Sequence, residues 1–366
     1  MKHFSTQKLA IATSIALGAM LATTAHADPK ISGRLYLFGT YDNVDTKTTN
    51  TVTGAVTNAK TDRTKMNSGG SRLRLTGDEK LTDATDLEYY LEYRVHLDDD
   101  GAGRNFESRN TYLGLKNKQY GTVRAGRIYT PDDDIDYVDQ SYVYASGVGL
   151  PFSYLGDRHN NVIQYISPKF NDGKTQVKLH YAMDEDASSS TTGTNNHGGE
   201  VTVFKNGVPT DVRRDLVAGH ILHEDEKFDA GVAYTQAGDF NSLRAMVSLK
   251  PTKELTVGVM AQQTDYNSGN KELGAIISGY YKVNNKTDVY GQVGHADKYE
   301  GWKDGENTVA SVGIVKWLKN DGGARLRAFG TLSYNDQTTF QYNTANQLER
   351  VEKEAFGVET GLRYDF

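Results

Sequence analysis

The chain has 366 residues, a formal net charge of −6 and no cysteine. An acidic chain without dense runs of lysine and arginine argues against nucleic acid as the main partner. The missing cysteines exclude a disulfide scaffold, a cysteine-based zinc site and a thiol nucleophile. Only 37% of the residues are hydrophobic and the mean hydropathy is −0.61, which taken alone suggests a soluble protein.

Residues 1–27 have the pattern of a secretory signal peptide. Two lysines give the segment a positive start, residues 9–25 are apolar, and the segment ends in Ala-His-Ala, which fits a signal peptidase site. We expect cleavage between Ala27 and Asp28. A membrane anchor is the alternative, but the apolar run is shorter than the roughly 20 residues of a typical span, and no basic cluster follows it. We expect no membrane helix in the rest of the chain.

Apolar and polar residues alternate along most of the remaining chain. The last segment is the clearest case: Phe356, Val358, Leu362, Tyr364 and Phe366 share one parity, and mostly charged or small residues share the other. Strand side chains have a period of two, so each such segment predicts a strand with one apolar face. We count about sixteen strands, near residues 31–43, 71–81, 87–97, 108–117, 121–130, 159–169, 175–184, 213–224, 228–236, 243–250, 255–264, 272–283, 287–297, 307–318, 324–334 and 355–366.

The connections between these strands alternate in length. Short signals rich in Asn, Asp and Gly, such as 171–174 and 320–323, supply the dihedral angles of tight turns. Most of the stretches between them are longer and polar, as at 44–68, 131–158 and 184–212. An even number of strands of about 10 residues, with short turns at one end and long loops at the other, is typical of an outer-membrane barrel. The predicted fold class is therefore all-β, a transmembrane antiparallel β-barrel.

A soluble sandwich or propeller is the competing fold. The length argues against one sandwich, and no fixed repeat of about 40–50 residues marks the blades of a propeller. The terminal Phe366 lies on the apolar parity of its strand. A soluble protein has no evident need for an aromatic residue at this place, so the pattern favours the barrel.

Three segments carry a family resemblance. Ser71–Leu81 has the sequence SRLRLTGDEKL, Arg109–Arg127 contains Arg-Asn-Thr-Tyr-Leu-Gly-Leu and then Tyr-Gly-Thr-Val-Arg-Ala-Gly-Arg, and the chain ends in Tyr-Asp-Phe. In this order and spacing they resemble the second strand, the following hairpin and the C-terminal assembly signal of the trimeric general porins of Gram-negative outer membranes. The resemblance covers essentially the whole chain after the signal peptide.

The resemblance implies a homotrimer of 16-stranded barrels in the outer membrane, each a single domain over 28–366. It implies a third extracellular loop, 131–158, that folds into the lumen. The implied partners are outer-membrane lipid, lipopolysaccharide, small solutes and ions, and the barrel-assembly machinery, which would read Tyr364 and Phe366. No cofactor, metal or catalytic residue is expected.

The same resemblance assigns two charged groups to a constriction. The loop carries the acids Asp132, Asp133, Asp134, Asp136 and Asp139. The wall positions that face such a loop are Arg72, Arg109 and Arg158, and Arg74 shares the parity of Arg72. Cations on one wall and carboxylates opposite them create a field across a water-filled passage, which sets ion selectivity and orients polar solutes.

The ion preference stays open at this level. The acidic net charge and the acidic loop favour cations, whereas the wall arginines oppose that preference. The loop also differs from enterobacterial porins, which often carry a Pro-Glu-Phe-Gly-Gly tip, because the corresponding stretch 149–153 has no acid.

Arg127 lies on the other parity from Arg124, so one of the two is expected to face away from the lumen. We expect Arg127 in the subunit interface, within reach of an acidic loop of the neighbouring subunit. That loop contains Asp98, Asp99 and Asp100.

Other interpretations are weaker. Asp132–Asp134 could bind calcium, but an acidic loop facing the lumen is the simpler interpretation, since no Ca²⁺-binding loop motif occurs. A substrate-specific channel would need an aromatic lane, for which the loop offers Tyr142, Tyr144, Phe152 and Tyr154. A secreted soluble β-protein is the third alternative. The favoured function is a passive, non-enzymatic diffusion channel for small hydrophilic solutes and ions.

Overall fold

The computed structural model describes residues 29–97, 106–140, 149–152, 158–183, 200–205, 208–213, 215–237, 240–267 and 269–366, with backbone alone for 200–205, 208–213 and 321. Short 3-10 helices span Pro131–Ile135 and Tyr299–Gly301. Among the described residues, no helix has the length and apolar character needed to cross a membrane. The strands are β1 Lys30–Asn50, β2 Val56–Ser68, β3 Arg72–Lys80, β4 Thr85–Val95, β5 Phe106–Asn117, β6 Gly121–Tyr129, β7 Arg158–Ile166, β8 Thr175–Ala182, β9 Glu200–Lys205, β10 Val208–Arg213, β11 Leu216–Glu224, β12 Phe228–Ala237, β13 Phe240–Leu249, β14 Leu255–Asp265, β15 Lys271–Asn284, β16 Thr287–Asp297, β17 Glu306–Asp321, β18 Ala324–Tyr342 and β19 Leu348–Asp365.

Seventeen of these strands form one antiparallel sheet that closes on itself. β1 pairs with the last strand, β19, on one side and with β2 and β3 on the other. Because β2 and β3 pair with successive parts of β1, together they fill one position in the barrel. β8 pairs directly with β11, and β9 and β10 form a separate hairpin. The barrel thus has sixteen strand positions, which confirms the predicted fold class.

The strands continue further at the long-loop end than the sequence predicts. β1 extends to Asn50 and β2 begins at Val56, inside the expected loop 44–68, and β18 extends to Tyr342. The residues of β2 are exposed on nearly its whole length, so no apolar face gives it a period of two. The paired backbone and polar β-branched residues hold this ribbon together instead.

Side chains of the barrel point alternately to its two faces. Leu179, Val217, Leu243 and Val312 lie on the outer face and are 49–56% exposed. Many of their sequence neighbours of opposite parity, such as His180, are buried inside. A continuous apolar surface around a closed antiparallel barrel is the surface that lipid covers.

The break between β2 and β3 lies at 69–71 and faces the lumen. Ser71 Oγ accepts a hydrogen bond from the Tyr36 amide at 2.9 Å, and the Gly69 amide donates to the Tyr36 carbonyl at 2.9 Å. A Cβ added at Gly69 would lie 2.2 Å from the Tyr36 ring, so only glycine fits there. Gly70 has φ of +72°, which also favours glycine. The break leaves a hollow in the wall immediately before Arg72.

Inward-facing side chains fill one side of the barrel. On β11–β16, Leu222, Met246, Met260 and Ile276 pack in one buried cluster with residues of the segment after β6. The aromatic residues Tyr36, Phe38, Tyr290 and Phe329 form another buried cluster. Two cavities lie against the opposite wall, on β1–β8. The passage therefore lies between the folded-in segment and the wall of β1–β8.

Candidate functional site

The segment after β6 packs against the inner wall through apolar contacts. Ile135 and Val138 are fully buried, and Phe152 is nearly so. Glycines on the facing strands make this close packing possible. A Cβ at Gly231 would lie 2.7 Å from Ile135 Cγ2, and one at Gly258 would lie 2.8 Å from Val138 Cγ2.

The second half of the segment packs closely against two more glycines of the wall. A Cβ at Gly274 would lie 2.5 Å from the Phe152 ring, and one at Gly294 would lie 2.8 Å from Pro151 Cγ. Phe152 is thus buried against the wall, which removes it from the aromatic lane considered for a substrate-specific channel. The loop residues Tyr142, Tyr144 and Tyr154 lie outside the described residues.

Polar contacts also hold the segment. Arg244 of β13 is almost fully buried and donates through Nη1 to the Asp132 carbonyl at 3.0 Å, while its Nε and Nη2 donate to Gln262 Oε1. Gln292 of β16 donates to Asp139 Oδ1 at 2.9 Å and accepts from the Gln140 amide at 2.7 Å. No sequence motif identifies these two wall residues. The signal that the sequence offers is their parity, which places both side chains on the inner face of the barrel.

The five loop acids separate into different environments. Asp132 is buried, and its carbonyl meets Arg244. Asp133 and Asp134 line a cavity of about 280 Å³ that faces the opposite wall. Asp134 Oδ2 lies 2.5 Å from Lys178 Nζ. Asp136 and Asp139 do not line this cavity, so only part of the predicted acidic group faces the passage.

Asp136 has an unusual environment. Its Oδ1 is shut off from solvent and has no hydrogen-bond partner. Burial raises the pKa of the Asp136 carboxyl well above its ordinary value, and the nearby Asp139 carboxylate raises the pKa further, against the opposing effect of Arg244. Burial thus stabilises the neutral form of Asp136 relative to a carboxyl group in water.

The basic wall is organised by a carboxylate that the family resemblance does not identify. Glu92 of β4 is only 2% exposed and is surrounded by three arginines. Its Oε1 lies 2.7 Å from Arg109 Nε and 3.5 Å from Arg72 Nη1, and its Oε2 lies 2.5 Å from Arg74 Nε. We call these four side chains the Glu92 cluster. Arg72, Arg74 and Arg109, predicted from the resemblance, are thus brought together at the wall.

The fourth predicted wall residue, Arg158, lies beside this cluster. Its guanidinium lies 4.4 Å from the centroid of the Tyr129 ring, and its Nη1 donates to the Tyr129 hydroxyl. Arg109 Nη2 donates to the same hydroxyl at 3.1 Å. Arg72, Arg109 and Arg158 all line a cavity of about 460 Å³ in the hollow at the β2–β3 break.

The two cavities share part of their lining. Arg72 and Tyr129 line both of them. Arg72, Arg74 and Arg124 therefore share the smaller cavity with Asp133 and Asp134. Cations of the wall and carboxylates of the loop line the same space, as a field across a passage requires.

The remaining predicted residues lie elsewhere. Arg127 donates through Nη1 to Asn160 Oδ1 at 2.7 Å, at a register irregularity between β6 and β7. The Tyr364 and Phe366 rings stack 5.7 Å apart, and Phe366 pairs through its backbone with Gly33. Five residues of the latch and cleavage predictions lie outside the described residues: Asp98, Asp99, Asp100, Ala27 and Asp28. Within the described ranges, no group of three His, Asp or Glu could hold a metal.

Comparison with known proteins agrees with this geometry. The profile of the Gram-negative porins matches residues 12–346. The anion-selective porin from Comamonas acidovorans is similar at 20% identity and a TM-score of 0.62, over 93% of this chain and 100% of that chain. The trimer form of in-vitro folded OmpT, an outer membrane protein of Vibrio cholerae, is similar at 17% identity and 0.61, over 93% and 99%. The outer membrane channel DcaP of Acinetobacter baumannii is similar at 11% identity and 0.59, over 93% and 98%. No curated protein matches the chain.

A closed sixteen-position barrel with a segment folded into its lumen defines the class of an outer-membrane channel. The chain belongs to the family of Gram-negative porins. It is a passive diffusion channel of the outer membrane, as the sequence predicted.

Proposed function

We propose that the constriction between loop 131–158 and the arginine wall makes this porin prefer small hydrophilic anions. The observation that carries the proposal is the charge on the two cavities at the constriction. Among the described residues that line them, cations outnumber carboxylates two to one. The cations are Lys65, Arg72, Arg74, Arg94, Arg109, Arg124, Arg158 and Lys178, and the carboxylates are Asp42, Glu92, Asp133 and Asp134.

The net charge of the whole chain does not contradict this preference. Selectivity depends on the charges at the narrowest, wettest part of the pore, because screening hides charges more than about 10 Å away in ordinary salt. Asp132, Asp136 and Asp139 contribute to the acidic total and to the predicted acidic group, but they do not line either cavity. The wall arginines therefore dominate the local field.

Permeation of two matched organic ions tests the proposal. Gluconate and N-methylglucamine are open-chain solutes of similar size and opposite charge. In proteoliposomes carrying the purified porin, gluconate is expected to enter faster, because the constriction attracts anions. The control variant Asp83→Asn lies in a short turn where Asp83 is fully exposed, and it should leave the ratio unchanged. Equal rates, or faster entry of N-methylglucamine, would contradict the proposal.

We also propose a homotrimer in which Arg127 meets Asp98, Asp99 and Asp100 of a neighbouring subunit. Arg127 lies on β6, the strand that carries the lumen-facing Arg124, and it contacts Asn160 of β7. Arg127 and Arg124 have opposite parity, which supports an outward position for Arg127. The similar OmpT of Vibrio cholerae has a trimer form. Arg127→Glu should lower the temperature at which trimers dissociate on a native gel. Arg350→Glu is the matched control, and equal dissociation temperatures would count against the latch.

The remaining predictions concern maturation and partners, and they stay proposals. The signal peptide is removed between Ala27 and Asp28, the assembly machinery reads Tyr364 and Phe366, and lipid and lipopolysaccharide surround a non-enzymatic channel. N-terminal sequencing of protein extracted from outer membranes tests the cleavage site directly. A mature chain that begins elsewhere would refute it.

A further inference from the structure

A second group of arginines lines the inner wall away from the loop, on β1, β18 and β19. They surround Asp365, the next-to-last residue of the chain. Arg34 Nε lies 3.1 Å and Arg363 Nη2 lies 3.0 Å from Asp365 Oδ1, and Arg327 Nη2 lies 3.8 Å from Oδ2. All four side chains are only 8–19% exposed. We call them the Asp365 cluster.

The Asp365 cluster repeats the arrangement of the Glu92 cluster, with three arginines around one carboxylate. Within these four side chains, a single carboxylate leaves an excess of two positive charges. Like charges that are largely removed from water repel strongly, so a bound anion that neutralises them is favourable. Guanidinium groups present paired N–H donors that match the oxygen atoms of carboxylate, sulfate or phosphate.

The backbone register joins the two clusters. Arg325 lies opposite Asp365, Asp365 lies opposite Arg34, Arg34 lies opposite Arg72, and Arg72 lies opposite Arg94. Directly opposed residues on antiparallel strands have Cβ atoms about 4.5–5.5 Å apart. A row of charged side chains therefore leads along the wall from the Glu92 cluster to the Asp365 cluster without a gap.

The Asp365 cluster lies toward the short-turn end of the barrel. β18 begins at Ala324 after a short turn, β19 ends at Asp365 and β1 begins at Lys30, so all three elements meet near this end. A cavity of about 590 Å³ opens there and is lined by Arg325 and Trp317, among others. Arg327 lies over the Trp317 ring, 5.1 Å from its centroid. The cluster thus has space beside it for a small solute.

We propose that the Asp365 cluster is a second binding site for small divalent oxyanions, through which they pass between the constriction and the short-turn mouth. Asp365 holds the three guanidinium groups in position, and their excess charge attracts the solute. The inference rests on the proposed anion preference, because it extends the same attraction along the wall.

Sulfate is the probe that tests the site. Trimers in planar bilayers carry a chloride current, and added sulfate should reduce it as it occupies the site. The double variant Arg34→Gln with Arg363→Gln should raise the half-blocking sulfate concentration about tenfold, since a charge-assisted hydrogen bond contributes enough free energy for that factor. Arg350→Gln removes an exposed arginine on β19 and should not change it.

One further variant and a folding assay keep the test decisive. Arg34→Lys keeps the charge but loses the paired donors, and it should still weaken sulfate block if the double variant does not assemble. Heat-modifiable gel mobility shows which variants have folded barrels. The inference is overturned if folded Arg34→Gln/Arg363→Gln or Arg34→Lys trimers are blocked at the wild-type sulfate concentration. It is also overturned if sulfate does not block the wild type, whereas the gluconate experiment reports on the constriction separately.

Discussion

Replacing Gly258 by alanine tests whether close packing fixes the loop in the lumen. Gly258 lies on β14 beneath the fully buried Val138, and an added Cβ would lie 2.8 Å from Val138 Cγ2 and 3.4 Å from Cγ1. Carbon atoms in contact prefer separations of about 3.5–4.0 Å. The loop or the wall must therefore move by roughly 1 Å to admit a single methyl group.

The expected cost follows from this clash. Overpacking a well-packed interior costs about 1–3 kcal/mol. Gly279 on β15 is the matched control, because nothing lies within 4 Å of a Cβ added there. Gly279→Ala should be neutral or stabilising by up to about 1 kcal/mol, since alanine has less backbone freedom to lose than glycine. Adding Val138→Ala to Gly258→Ala removes the clashing methyl groups and should recover much of the loss.

The assay combines single-channel conductance with thermal unfolding followed by heat-modifiable mobility. Gly258→Ala should lower the unfolding temperature and change the conductance, because displacing the loop changes the width of the passage. Gly279→Ala should do neither, and the Gly258→Ala/Val138→Ala pair should return toward the wild type. The reasoning is refuted if Gly258→Ala and Gly279→Ala behave alike in both measurements.

Three further predictions concern charge. Asp134→Asn should shift the zero-current potential in a potassium chloride gradient further toward the equilibrium potential of chloride. Asp83→Asn is the control and should not shift it. An unchanged potential in Asp134→Asn would show that Asp134 does not line the passage. Asp136→Asn should unfold at the wild-type temperature below about pH 4, where the Asp136 carboxyl is protonated in both the folded and the unfolded chain. As the pH rises toward the raised pKa of Asp136, the variant should become increasingly more stable than the wild type, because ionising Asp136 costs folding free energy. A difference in unfolding temperature that does not change with pH would contradict this prediction. Glu92→Gln should lower stability by about 1–3 kcal/mol, since it leaves three partly buried arginines without their carboxylate. An unchanged unfolding temperature would contradict the role of Glu92.

The barrel could be predicted because lipid and lumen impose a strict period of two. That signal fails where both faces of a strand meet water. β2 is a polar ribbon of this kind, and its sequence therefore predicts a loop. Strand pairing extends it because the partner β1 supplies backbone groups along its whole length.

The loop acids could be found in the sequence, but the direction in which each side chain points could not. Residues 131–135 form a 3-10 helix, in which every third residue points the same way. Asp132, Ile135 and Val138 follow this spacing, and all three are buried against the wall. Asp133 and Asp134, one and two positions on, face the cavity instead. In the sequence alone, a run of aspartates without a predicted helix does not show which side chains face the wall and which face the cavity.

The carboxylate of the Glu92 cluster was also hidden in the sequence. Glu92 shares the inward parity of Arg94, as Glu88 does, so parity alone does not identify the one that meets the arginines. The register between β3 and β4 decides this by placing Arg74 opposite Glu92. A shift of one residue would reverse every side chain, and the turn at 81–84 fixes the register.

The zero-current potential of the wild-type porin in a potassium chloride gradient tests the central claim most directly. The purified porin is inserted in a planar bilayer with concentrated salt on one side and dilute salt on the other. A constriction lined by more cations than carboxylates predicts a potential displaced toward the equilibrium potential of chloride. A displacement toward the equilibrium potential of potassium would contradict the account.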